Sequence, residues 1–194
     1  MVVYRGQDLD LRSPADWSLA QSREAAGATA AERAQGFAPN GRNRQIWVDE
    51  TVLACCNHAF DLAVAHRAGE VRIEHLLNAM TRVDAAALVL EARGVRVAAL
   101  RRESAGIIAN EIPAGLAPGR TQPKSSEALE DVLRLAADRG VPRRAPATID
   151  DLLNVLVDMK RELPGINLLR THSQNWNLRD APDQRFEPAA PARP

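Results

Sequence analysis

Nine residues occur twice in this chain. Arg72-Ile73-Glu74-His75-Leu76-Leu77-Asn78-Ala79-Met80 recurs as Thr148-Ile149-Asp150-Asp151-Leu152-Leu153-Asn154-Val155-Leu156. The Ile, both Leu and the Asn are identical. Glu74 becomes Asp150 and Met80 becomes Leu156, so charge and apolar character persist. In each copy the apolar residues fall at i, i+3, i+4 and i+7: Ile73, Leu76, Leu77 and Met80, then Ile149, Leu152, Leu153 and Leu156. That spacing is one face of an amphipathic helix, and such a face must be buried against something. Two of them in equivalent settings predict a duplicated helical unit.

Local signals place further helices around each copy. Asp49 is a fitting N-cap for a first helix with Val52, Leu53, Cys56, Phe60, Ala63 and Val64 inward, ended by Gly69. Asp84 is expected to cap a third helix through Ala92, with Leu88 and Val89 inward and Gly94 as its stop. A fourth runs from Val97 to Asn110, buried through Val97, Leu100, Ile107 and Ile108. Pro113, Gly115, Pro118, Gly119 and Pro123 then make residues 111–123 a linker. Beyond it, Ser125 or Ser126 caps a helix with Leu129, Val132, Leu133 and Ala136 inward, ending at Gly140. A loop from Pro142 to Pro146 follows. Thr148 and Asp151 resemble a capping box, whereas Arg72 in the first copy cannot cap. Pro164 opens a helix through Thr171 with Ile166 and Leu169 inward. Pro182 truncates the last helix, of which Trp176 and Leu178 are the expected remnant.

The expected organisation is a flexible arm over residues 1–46, a helical body over 47–178 and a Pro/Ala-rich tail over 179–194. Within the body the repeats span about 47–112 and 124–178. In the arm, Asp16 to Gln35 is Ala- and Glu-rich with Gly27 inside, so a helix there has little to bury. Trp17 and Leu19 are the sizeable apolar residues of that stretch, and Pro39-Asn40-Gly41 breaks the chain.

The 25 basic residues balance the 25 acidic ones, so no strong field attracts nucleic acid or an anionic membrane. Apolar runs stay short of the ~20 residues of a membrane span, and charges arrive too early for a signal peptide. The two cysteines, Cys55 and Cys56, are neighbours and give no disulfide framework, which fits a cytoplasmic protein.

Chemistry has few footholds. There is no Gly-x-x-x-x-Gly-Lys-Ser/Thr; Lys124 precedes Ser125, but Pro123 lacks the N–H that a phosphate cradle needs. Adjacent cysteines cannot both ligate zinc from one helix, so no metal and no cofactor are expected. Cys55 and His58 stand at i, i+3, and a small helical enzyme using that pair is an alternative; buried structural cysteines are the simpler account. Glu74 and Asp150 both fall in the first turn of their helices, where a carboxylate complements the helix dipole with no further role.

The order helix, Ile73-Glu74-His75-Leu76-Leu77, helix, Glu91-Ala92-Arg93-Gly94-Val95, helix, repeated across a Pro/Gly linker with Ile149-Asp150-Asp151-Leu152-Leu153, resembles the N-terminal domain of the Clp ATPases, the ring-forming unfoldases and disaggregases. The resemblance spans roughly Val48 to Leu178 and excludes any ATPase module. The family has Gly-Thr before its Glu-His pair; here Arg72-Ile73 and Thr148-Ile149 stand instead. The resemblance implies an all-α fold of two pseudo-two-fold-related repeats of about four helices each. It also implies a non-catalytic module that docks a peptide, a client, an adaptor or a Clp-type unfoldase. In some relatives the acid of each Glu-His element lines a pocket for phosphorylated arginine; Glu74 and Asp150 match those positions, with His75 and Asp151 beside them. Those four are the expected partner-binding residues. A sensor domain of a longer protein is the alternative.

Overall fold

A computed structural model describes residues 9, 11–12, 46–115 and 122–173. Among them the fold is mostly helical, with seven α-helices: α1 (Glu50–Ala65), α2 (Ile73–Met80), α3 (Asp84–Ala92), α4 (Val97–Asn110), α5 (Glu127–Gly140), α6 (Ile149–Asp158) and α7 (Pro164–His172). A 3-10 turn, Val141–Arg143, follows α5 within the expected loop. The expected helical remnant at Trp176 and Leu178, the tail, and Trp17 and Leu19 lie outside the described residues.

The two repeated segments form the centre. Every residue of α2 is buried, including Glu74, His75 and Asn78. α2 packs against α1, α4 and α7, while α6 packs against α5, α3 and α7. Thus the second helix of each half touches the third helix of the other. Leu76, Leu77, Met80, Leu152, Leu153 and Leu156 are all fully buried.

Short parallel strands, which the sequence did not announce, lie between the halves. β3 (Glu70–Val71) pairs with β4 (Lys124–Ser125), and Val48 bridges Ala147. The N–H of Asp49, the N-cap of α1, donates to the carbonyl of Ala147, just before the N-cap of α6 (2.9 Å). The N–H of Ser126, the N-cap of α5, donates to the carbonyl of Val71, just before the N-cap of α2 (2.9 Å). One hydrogen bond therefore occurs twice, each time across the halves. A further parallel pair joins β1 (Leu11–Arg12) to β2 (Ile46–Trp47), and Leu11 and Ile46 enter the core. The boundary expected at 46/47 thus shifts: Ile46 belongs to the body, and the segment read as an arm contributes a core leucine.

Several local expectations are corrected. Val64 and Leu88 were expected inward, but they are 39% and 66% exposed. On α3 the buried residues are Ala86 and Leu90, which share one face at i, i+4, and Leu88, two residues from each, lies on the opposite face. Val89 is partly buried, and Asp84 is the first helical residue, not the cap, which is Val83. Gly69 does not end α1. That helix stops at Ala65, and Arg67 takes the left-handed conformation (φ 53) that glycine usually supplies. The Arg67 and Ala68 N–H groups close the turn onto the carbonyls of Val64 (3.0 Å) and Ala63 (2.9 Å). Gly69 serves close approach instead, since a Cβ there would sit 2.7 Å from the Gly115 carbonyl oxygen.

Candidate functional site

The four expected residues occupy the first turns of α2 and α6, and the structure gives them unequal roles. His75 and Asp151 are equivalent positions with different chemistry and one shared task. The Arg72 N–H donates to His75 Nδ1 (3.1 Å), and the Thr148 N–H donates to Asp151 Oδ2 (2.9 Å). Each side chain reaches back to the N-cap backbone, the reciprocal half of a capping box. Only the second copy completes the box, because the Thr148 hydroxyl accepts from the Asp151 N–H (3.4 Å) and Arg72 has no acceptor.

His75 is fully buried. Accepting at Nδ1 fixes the neutral tautomer with its proton on Nε2, which has no hydrogen-bond partner among the described residues. Burial, reinforced by His66 and Arg72, pushes its pKa down to about 4. Asp151 is buried and held by Arg143 through two parallel hydrogen bonds, Nη1 to Oδ1 (2.9 Å) and Nη2 to Oδ2 (2.6 Å). Burial alone would raise this carboxyl; Arg143 and the two Thr148 donors outweigh it and hold it below the ordinary carboxylate range.

Glu74 and Asp150 also occupy equivalent positions, and they diverge. Glu74 is buried, and its Oε1 accepts from the Gly165 N–H at the start of α7 (2.8 Å). It therefore caps a helix of the other half, satisfying a donor that α7 cannot satisfy itself. Gly165 permits this contact: a Cβ there would lie 2.8 Å from Ile73 Cγ2 and 3.1 Å from Glu74 Oε1. Gly165→Ala should accordingly destabilise the protein by about 1–3 kcal/mol, the usual cost of overpacking a closed site. Thermal unfolding checks it, and an unchanged midpoint would mean that α7 is not held against α2 in this way.

Asp150, one methylene shorter, remains half-exposed (side chain 49%). Its Oδ1 accepts from Arg93 Nε (3.0 Å) and Nη2 (2.7 Å), joining α6 to the end of α3. Its Oδ2 has no partner among the described residues. Of the four expected residues, then, three are locked inside and one carboxylate faces outward. Arg93, Arg143 and Gly165 were not singled out as partners. Only the Arg-Gly that closes α3 and the Pro-Gly that opens α7 mark two of them in the sequence.

The cysteine alternative finds no activation. Cys55 and Cys56 are buried, and burial pushes the Cys55 thiol up to about 12 and the Cys56 thiol higher than its ordinary value. A nucleophilic cysteine needs the opposite shift. Among the described residues no His/Cys/Asp/Glu cluster could hold a metal, and no helix is long and apolar enough to cross a membrane.

The resemblance seen in the sequence is matched by comparison with known proteins. Residues 49–140 match the family model described as the Clp repeat (R) N-terminal domain. Among solved structures, the Hsp104 N-terminal domain from Candida albicans aligns at 14% identity and a TM-score of 0.56, covering 68% of this chain and 85% of that one. A chain from preliminary structural investigations of a malarial protein secretion system aligns at 14% identity and a TM-score of 0.53, covering 63% and 82%. No curated protein sequence gives a significant match.

Proposed function

We propose that this Clp-N-like fold serves as a protein-interaction module. It binds a basic segment of a peptide, client, adaptor or Clp-type unfoldase, without chemistry of its own. The observation that carries the reading is Asp150. It is the one carboxylate of the four expected residues that faces outward, and it already holds a guanidinium, that of Arg93. A planar guanidinium from a partner matches the same carboxylate. Glu74, His75 and Asp151 support the site by fixing the first turns of α2 and α6 and the seam between the halves.

Such a contact is modest and salt-sensitive, so apolar anchoring must supply most of the affinity. Asp150→Asn should weaken an arginine-containing peptide by about 1 kcal/mol or less, several-fold in Kd, with a larger loss at low salt and unchanged circular dichroism. Titration calorimetry at two ionic strengths measures it. Equal affinity for wild type and variant at both would reduce Asp150 to a helix start and send the search to other surfaces.

A further inference from the structure

The Arg93–Asp150 pair gives the proposed site a control of its own. Arg93 closes α3 from the first half, and its side chain is only 16% exposed, whereas that of Asp150 is 49% exposed. The buried member is thus the cation and the accessible member the carboxylate. Two Arg93 donor atoms converge on one oxygen, Oδ1 (Nε 3.0 Å, Nη2 2.7 Å). This is not the two-oxygen fork by which Arg143 holds Asp151. A guanidinium engages a carboxylate best with one donor on each oxygen. The Arg93 contact is therefore the weaker geometry, and Oδ2 stays available for a second donor.

We propose that Arg93 is an internal competitor for the ligand of Asp150: it occupies the carboxylate in the free protein and is displaced when a partner guanidinium binds. This rests on the reading of Asp150 as the guanidinium contact. An incoming arginine meets Oδ2 first and completes its fork as Arg93 swings from Oδ1. A lysine ammonium has no fork, so it gains less from the exchange. Arg93 thereby lowers the affinity for basic ligands that must displace it, while the preference for arginine over lysine comes from the fork at the freed carboxylate. Glu74, the equivalent acid, has no such exchange, because its occupant is the backbone N–H of Gly165 and is buried.

The test uses the full chain and two short end-blocked peptides that differ only in one arginine or lysine. Both are titrated into wild type, Arg93→Gln, Arg93→Lys, Asp150→Asn and the Arg93→Gln/Asp150→Asn double variant. Arg93→Gln should bind the arginine peptide about fivefold more tightly than wild type, the range for loss of a partly exposed ion pair. That gain should vanish in the double variant. Arg93→Lys keeps the charge and long stem but not the Nε–H, and should show a smaller gain; it covers the case in which the glutamine variant fails to fold. In wild type labelled with 15N-arginine, the Arg93 Nε–H signal should shift as peptide saturates, which a purely structural pair would not do. If Asp150→Asn weakens binding several-fold while both Arg93 variants bind no better than wild type, the competitor role is overturned and the Asp150 reading stands. If Asp150→Asn binds as wild type does, both fall.

Discussion

Leu76→Ala and Leu152→Ala each lower the free energy of unfolding by about 2–5 kcal/mol, the range for truncating a buried leucine. Both side chains are fully buried, at equivalent places in the two repeated segments, and belong to one continuous core. Their helices are the ones each half uses to reach the other, so a cavity beneath either loosens contacts on several sides. Against a typical total of about 5–15 kcal/mol, either loss is large, and the double variant should be unfolded at ambient temperature or close to it. Leu88→Ala is the control: a leucine 66% exposed should change stability by no more than about 0.5 kcal/mol. Urea denaturation decides the matter. A Leu152→Ala cost no larger than that of Leu88→Ala would mean that the second segment is not a core helix.

Acid should destabilise the protein before its carboxylates titrate. In the fold the His75 pKa is pushed from 6.5 to about 4 by burial, with His66 and Arg72 acting in the same direction. As pH falls, the unfolded chain takes up this proton first. The contribution is therefore fully present above pH 6.5 and is lost progressively as pH falls to about 4, roughly 3 kcal/mol in all. Two acids, the buried Asp151 and the half-buried Asp49, frame this window. Asp151 is held low, so its contribution is lost only below the ordinary carboxylate range. Asp49 is raised by burial despite its hydrogen bonds to Val52 and Thr51, so its protonation on acidification favours the fold and offsets part of the loss. His75→Gln keeps an acceptor for the Arg72 N–H without the titrating group. The slope of stability against pH between 6.5 and 4 should flatten in this variant. An unchanged slope would place the acid lability elsewhere.

The core faces of the two nine-residue segments and the N-caps at Asp49, at Ser125 or Ser126, and at Thr148 were legible in the sequence, because each depends on residues within one turn of helix. Contacts between the halves were not. Nothing in the sequence near Glu74 says that its partner is an N–H ninety-one residues away. Nor does Asp150 announce Arg93. Equivalent positions in similar local patterns have opposite exposures because Glu74 meets the Gly165 N–H of α7, whereas Asp150 meets Arg93 at the seam. Leu88 misled for a similar reason. An apolar residue on a short helix reads as core, yet Ala86 and Leu90 suffice to seat α3. Equally, His75 and Asp151 shared a capping task that their residue types concealed.

The twice-made hydrogen bond, Asp49 to Ala147 and Ser126 to Val71, makes each half depend on the other. A single repeat would leave both of these backbone edges open: the one before its first helix and the one before its second. Two copies of such a repeat close all four at once, each lending its first edge to the other's second. That is the self-complementary arrangement of a homodimer, in which any contact made by one subunit is returned by its partner. Joining the copies end to end would keep these pairings and remove the concentration dependence of assembly. Within that exchange the two acids stand in unlike surroundings, Glu74 as an internal cap and Asp150 open to the outside.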